Sequence, residues 1–171
     1  MSNVEPLARI AVGVVVERRR AKSEWADFVW RPSAVLAGAP DAEPGALLSG
    51  NAERATFYAG ATELELHRSE SGNYRDNLAT DVPMLWVVLR PTGAEPPFTV
   101  VTVTADPAEG EALATIGADL VEALPMPAPI RSAVAAFVAE HHVEQVEFSK
   151  RQRDRADPEA LANRAPIKRN P

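Results

Sequence analysis

The sequence contains no cysteine. A disulfide framework, a thiolate-held zinc or iron–sulfur centre and a cysteine nucleophile are therefore excluded at the outset. Long hydrophobic runs are absent as well: none approaches the roughly 18–20 apolar residues that cross a bilayer. The first residues, Met1-Ser2-Asn3-Val4-Glu5-Pro6, lack the basic stretch and apolar core of a secretory signal. Together these absences lead us to expect a cytoplasmic chain with no membrane span. Histidine is scarce, with His67, His141 and His142 the only imidazoles. The last two are adjacent, so on a helix they project about 100° apart and cannot share a cation as an i, i+4 pair can. Glu63, Glu65 and His67 share one strand face, but that is also the polar face of any half-exposed strand. No serine sits in a Gly-x-Ser-x-Gly elbow, and no glycine-rich phosphate or dinucleotide loop is present. We assign no catalytic residue, no metal and no cofactor, and do not read the chain as an enzyme.

What is present is an ordinary globular composition, 46% hydrophobic and 25% charged over 171 residues, with the charge unevenly divided. Residues 148–171 carry seven Arg and Lys against three Asp and Glu, a net +4, which leaves −10 of the total −6 on residues 1–147. We read 1–147 as a single domain and 148–171 as a basic, partly disordered tail, because the tail is too poor in apolar residues to offset its own ordering entropy. Asp157-Pro158-Glu159-Ala160-Leu161 could form a short helix against a partner. So acidic a body repels nucleic acid.

Hydrophobic periodicity organises the domain. Leu7 to Glu17 alternates at period two, with β-branched residues on both faces, and predicts a central strand; Arg18, Arg19, Arg20 and Lys22 then read as a solvated turn. Phe28 and Trp30 fall on one face of a second strand and Val29 on the other, and Pro32 places that strand at an edge. Gly38 to Gly50 reads as a mobile surface loop. Arg54 to Tyr58 and Thr62 to His67 predict a hairpin closed near Gly60, with Leu64 and Leu66 inward. Ser69 to Asp81 reads as a polar irregular loop with at most one helical turn. Met84 to Leu89 and Phe98 to Thr104 predict paired strands. Asp106, Pro107 and Glu109 mark a helix start that should run to Gly117. A short strand over 119–124 and a helix from Pro129 to about Val143, with Ile130, Val134 and Phe137 in its stripe, complete the domain.

This order predicts an α+β fold: a bent antiparallel sheet or partly open barrel of about seven strands with a C-terminal helix. By element order alone it is similar to pleckstrin-homology-like domains. Two surfaces stand out. Trp25, Phe28 and Trp30 could form an aromatic groove for a protein partner, with Lys150, Arg151, Arg153, Arg155 and Leu161 docking the tail. His67, Asn73, Tyr74, Arg75, Asp76 and Asn77 could line a ligand loop.

The stretches VGVVVERR (12–19), FVWRP (28–32), TFYAGATELELHRSESGNYRDNL (56–78), LWVVLRPTG (85–93), VTADPAEGEA (103–112), AAFVAEHHVE (135–144) and KRQRDRADPEAL (150–161) resemble a proteobacterial family labelled domain of unknown function 3305. The resemblance implies a genomic setting near molybdenum-dependent formate dehydrogenases and carries over no catalytic residue. The expected function is a non-catalytic accessory or protein-interaction module that assists such a formate dehydrogenase or a related redox assembly. The alternatives are a small-ligand binder or minor enzyme using loop 69–81, and a self-associating structural protein.

Overall fold

The computed structural model describes residues 4–143. Seven strands and three α-helices follow in the order β1 (Ala8–Arg20), β2 (Phe28–Ala37), β3 (Leu47–Gly50), β4 (Arg54–Leu66), α1 (Ser71–Leu78), β5 (Met84–Pro91), β6 (Phe98–Thr104), α2 (Pro107–Ile116), β7 (Leu120–Pro125) and α3 (Ala128–His141). The strands form two antiparallel sheets, β2-β1-β4-β3 and β6-β5-β7, with β6 lying against β4 and β7 against β2. This is a mixed α+β fold with no closed barrel among the described residues.

The strong alternation of β1 puts it in the middle of its sheet. Val12, Val14 and Val16 point into the core with Leu64, Leu66, Leu85, Val87 and Leu89. On the opposite face Val15 and Tyr58 are also buried, and the segment 38–46 runs close to them. That segment is pinned rather than loose. Tyr58 and residues 45–46 exchange backbone hydrogen bonds of 2.7 and 2.9 Å. Gly13 permits the close approach, since a Cβ there would stand 2.9 Å from Pro40 Cδ. The segment also leads into β3, an edge strand too short and too exposed to show a period in sequence.

Two further expectations are corrected. The hairpin expected over 54–67 is one continuous strand, β4, pairing along β1 from Arg19↔Arg54 to Ala8↔Leu66. Gly60, at φ 137°, sits where the register slips and leaves Ala59 unpaired, so its turn-like chemistry makes a bulge and not a reversal. The run Arg18–Arg20 is the end of β1 and not a turn, held by β2 on one side and β4 on the other.

The remaining elements form where their local signals place them. Pro32 lies on the edge strand β2, opposite Val16 at a register shift that spares the ladder its missing N–H. Asp106 caps α2 by accepting from the Ala108 N–H at 2.9 Å, Pro107 opens that helix, and Gly117 closes it at φ 73°. Ile130, Val134 and Phe137 bury the stripe of α3.

Candidate functional site at the open end

β1 runs the length of the molecule, and at about 3.3 Å per residue the levels of Ala8 and Arg18 are separated by roughly 33 Å. At the Ala8 level α1 and α3 pack together and close the fold. At the Arg18 level β1 ends, β2 and β4 begin, and β6 starts at Phe98.

The closed end contains the polar segment read as a loop in sequence. It is helical instead, with a 3₁₀ turn over Arg68–Glu70 leading into α1. Asn77 is buried, and its Nδ2 donates to the carbonyls of Met84 (2.8 Å) and Ala105 (2.9 Å), while its Oδ1 accepts from the Met84 N–H (3.0 Å). One side chain thus ties α1 to the start of β5 and the end of β6. Asn73 donates to both carboxylate oxygens of Asp106 at 3.0 Å. Tyr74 is 2% exposed, packs edge-on against Phe137, and accepts from the His67 N–H at 3.1 Å. Burial, reinforced by the nearby carboxylates of Asp106, Glu70 and Glu109, pushes its hydroxyl pKa up to about 12 although the His67 bond opposes this. His142 approaches Ser71 through Nδ1 (3.2 Å) and Arg75 through Nε2 (2.9 Å). Arg is always a donor, so the Arg75 contact makes Nε2 the acceptor and leaves the ring proton on Nδ1. Arg75 also pairs with Asp76 at 3.2 Å. Among the described residues no three histidine or carboxylate side chains converge as a metal site.

The open end is arranged differently. Because Val12, Val14 and Val16 face inward, the next residue of that parity, Arg18, also faces inward. Its guanidinium carbon lies 4.4 Å from the Phe28 ring centre, 5.1 Å from Phe57 and 5.8 Å from Trp30. Trp30 packs in turn on Phe57 (5.4 Å) and Phe98 (6.0 Å). Cation–π attraction of this kind contributes about 0.5–2 kcal/mol. Among the described residues no hydrogen bond or ion pair reaches Arg18, and its Nε is buried without an acceptor. A cavity of about 90 Å³ opens beside it, walled by Trp30, Phe57 and Phe98 and rimmed by Gly45, Glu95, Pro96 and Pro97.

On the opposite face of the same strand stands Glu17, 3% exposed and surrounded by arginines. Arg54 donates to it at 2.6 Å, Arg19 donates to its other oxygen, and Arg31 lies 3.6 Å away. Burial alone would raise the carboxyl pKa, but the hydrogen bonds from Arg54 and Arg19, with their charges, hold it below its ordinary value of 4.5. The neighbouring arginines therefore have a carboxylate, whereas Arg18 does not.

Residues 11–152 match the family described as Protein of unknown function (DUF3305). The chain belongs to that family. No curated protein and no solved structure matches it. Within this DUF3305 chain the candidate residues divide between the two ends. Phe28 and Trp30 meet at the open end with Arg18. Trp25 is near them in sequence, on the β1–β2 connection, but is 95% exposed and makes no ring contact with them. Tyr74 and Asn77 face inward at the closed end, while His67, Asn73, Arg75 and Asp76 lie nearer its surface. Lys150, Arg151, Arg153, Arg155 and Leu161 lie outside the described residues.

Arg18, Phe57 and Phe98 are the site residues that sequence reasoning missed. The signal for Arg18 was the unbroken alternation Val12, Val14, Val16, Arg18, hidden by treating three consecutive arginines as a reason to end the strand.

Proposed function

We propose that the protein is a non-catalytic accessory module that binds another protein through its open end. The observation that carries this reading is Arg18: a guanidinium turned inward among three aromatic rings, with Nε buried and, among the described residues, unbonded beside a cavity. A fold gains nothing from an unmet buried donor, which costs about 1–3 kcal/mol, whereas a partner can satisfy it. Trp25, exposed on the hairpin at the same end, adds an aromatic anchor of the kind enriched in binding hot spots. The α1 segment is a weaker candidate, because Tyr74 and Asn77 commit their polar groups to holding the fold.

The partner class we favour is a component of a redox assembly, in keeping with the formate dehydrogenase setting that the family resemblance implies. A cysteine-free chain would serve such an assembly by binding a protein that holds a cluster, not by supplying thiolates. The basic segment 148–171 would add a charge-driven contact of its own with the partner. Tagged wild type and the Trp25→Ala/Arg18→Met double variant should be compared by affinity purification from the native host. The expected result is a reproducible set of proteins retained by wild type and lost from a variant with unchanged melting temperature. Retention of the same set by the variant would overturn the proposal.

A further inference from the structure

We infer that the open-end pocket receives a single acidic side chain from the protein partner, its carboxylate seated on Arg18 and its methylenes between Trp30, Phe57 and Phe98. The inference rests on the interaction proposed above and names the chemistry of what enters.

Size comes first. The cavity, about 90 Å³, is smaller than the 150 Å³ that accommodates a benzene ring, so it admits a short side chain and excludes an aromatic one. Polarity comes next. A guanidinium presents its Nε and Nη hydrogens as a rigid planar fork that fits the two oxygens of a carboxylate, and charge-assisted bonds of this type are about twice as strong as neutral ones. At Arg18 no described residue bonds that fork, and its buried Nε edge needs an acceptor. The walls then favour two or so methylenes leading to the charge, since the rings of Trp30, Phe57 and Phe98 offer apolar faces.

Long-range charge points the same way. Residues 4–143 carry eleven Arg and Lys against nineteen Asp and Glu, a net −8. Six of the eleven, Arg18, Arg19, Arg20, Lys22, Arg31 and Arg54, belong to the open end, with Glu17, Glu24, Asp27, Glu53 and Glu95. That end is close to neutral and slightly positive, and the rest of the described chain carries about −9. An acidic segment therefore meets less net repulsion at the open end than over the rest of the described chain taken together. Glu95, on the rim, is the one carboxylate lining the cavity and opposes a second negative charge.

Propionate reproduces a glutamate side chain beyond its Cα and is the probe of choice, with neutral propionamide as its isostere. Titrated into the full chain at millimolar concentrations, propionate should shift the Arg18 Nε–H resonance saturably, and propionamide should not. Arg18→Lys, which keeps the charge but loses the fork, should weaken propionate at least tenfold; Glu95→Gln should tighten it. A capped Ala-Ala-Glu-Ala-Ala peptide should displace propionate, and its Gln counterpart should not. If propionate leaves Arg18 unmoved, or only inorganic phosphate moves it, the acidic-side-chain assignment is wrong, even where the Arg18→Met variant loses its protein partners and the broader reading stands. If propionate binds and the Glu peptide does not, the pocket takes a free small carboxylate and the assignment also fails.

Discussion

Asn77 at the closed end and Arg18 at the open end are both polar side chains turned toward the interior, and they end in opposite conditions. Asn77 has three hydrogen bonds to backbone groups of two other segments, and its neighbours Asn73, Asp106, Thr104 and Tyr74 continue the network. Arg18 has aromatic faces and, among the described residues, no acceptor. A satisfied buried polar group specifies one arrangement of the elements it joins. An unsatisfied one lowers stability and gives a partner something to bind. The difference separates a part of the molecule whose polar groups hold the fold from a part whose buried polar group is left unmet, which is where we propose that a partner binds.

The largest expected effect is at the closed end. Asn77→Ala strands two carbonyls and one N–H in the interior, and should cost about 2–4 kcal/mol in urea unfolding. A loss below about 1 kcal/mol would mean that water replaces the side chain, and the contrast between the ends would weaken.

Next comes the alkaline limit of the same end. Tyr74 has its hydroxyl pKa raised from 10 to about 12. The folded state therefore holds the proton where the unfolded state releases it, so this contribution is complete below pH 10 and declines between about pH 10 and 12. The two-unit displacement corresponds to about 2–3 kcal/mol. Tyr74→Phe should flatten that decline, as measured by melting temperature against pH.

Glu17 sets an acid limit near the open end, and its effect is smaller. Its pKa is depressed, so its contribution is present above the unfolded value near 4.5 and is lost as pH falls through the lower folded value. Glu17→Gln should cost about 1–2 kcal/mol at neutral pH, because its arginine partners are partly exposed, and should reduce the loss of stability below pH 4.5. An unchanged acid limb would show that Arg19, Arg31 and Arg54 find other acceptors.

The smallest expected effect is the most informative. Arg18→Met keeps an apolar stem against the rings and removes the unmet donor. The lost cation–π attraction and the relieved donor nearly cancel, so stability should stay within about 0.5 kcal/mol of wild type.

How much of this was legible in the sequence follows from the range over which each feature is decided. The α2 cap at Asp106-Pro107, the stripe of α3 and the pairing of β5 with β6 are local or periodic, and each stands where the residues put it. The merger of two short strands into β4 is decided by β1 alongside, which turns the Gly60 region into a bulge. α1 was obscured because Ser71, Gly72, Asn73, Asp76 and Asn77 are poor helix formers, and the helix owes its stability to the Asn77 and Tyr74 contacts across the chain. At the candidate site, Phe28 and Trp30 were legible from strand parity. Arg18 continues the parity of Val12, Val14 and Val16, but its charge within an arginine run reads as the end of the strand, and Phe57 and Phe98 join it from strands distant in sequence.

The two ends differ in what their buried polar groups do. The direct test is to measure urea unfolding of wild type, Asn77→Ala and Arg18→Met side by side at neutral pH. Asn77→Ala should lose about 2–4 kcal/mol while Arg18→Met matches wild type or exceeds it. A loss in Arg18→Met comparable to that in Asn77→Ala would contradict that difference, because Arg18 would then be holding the fold as Asn77 does.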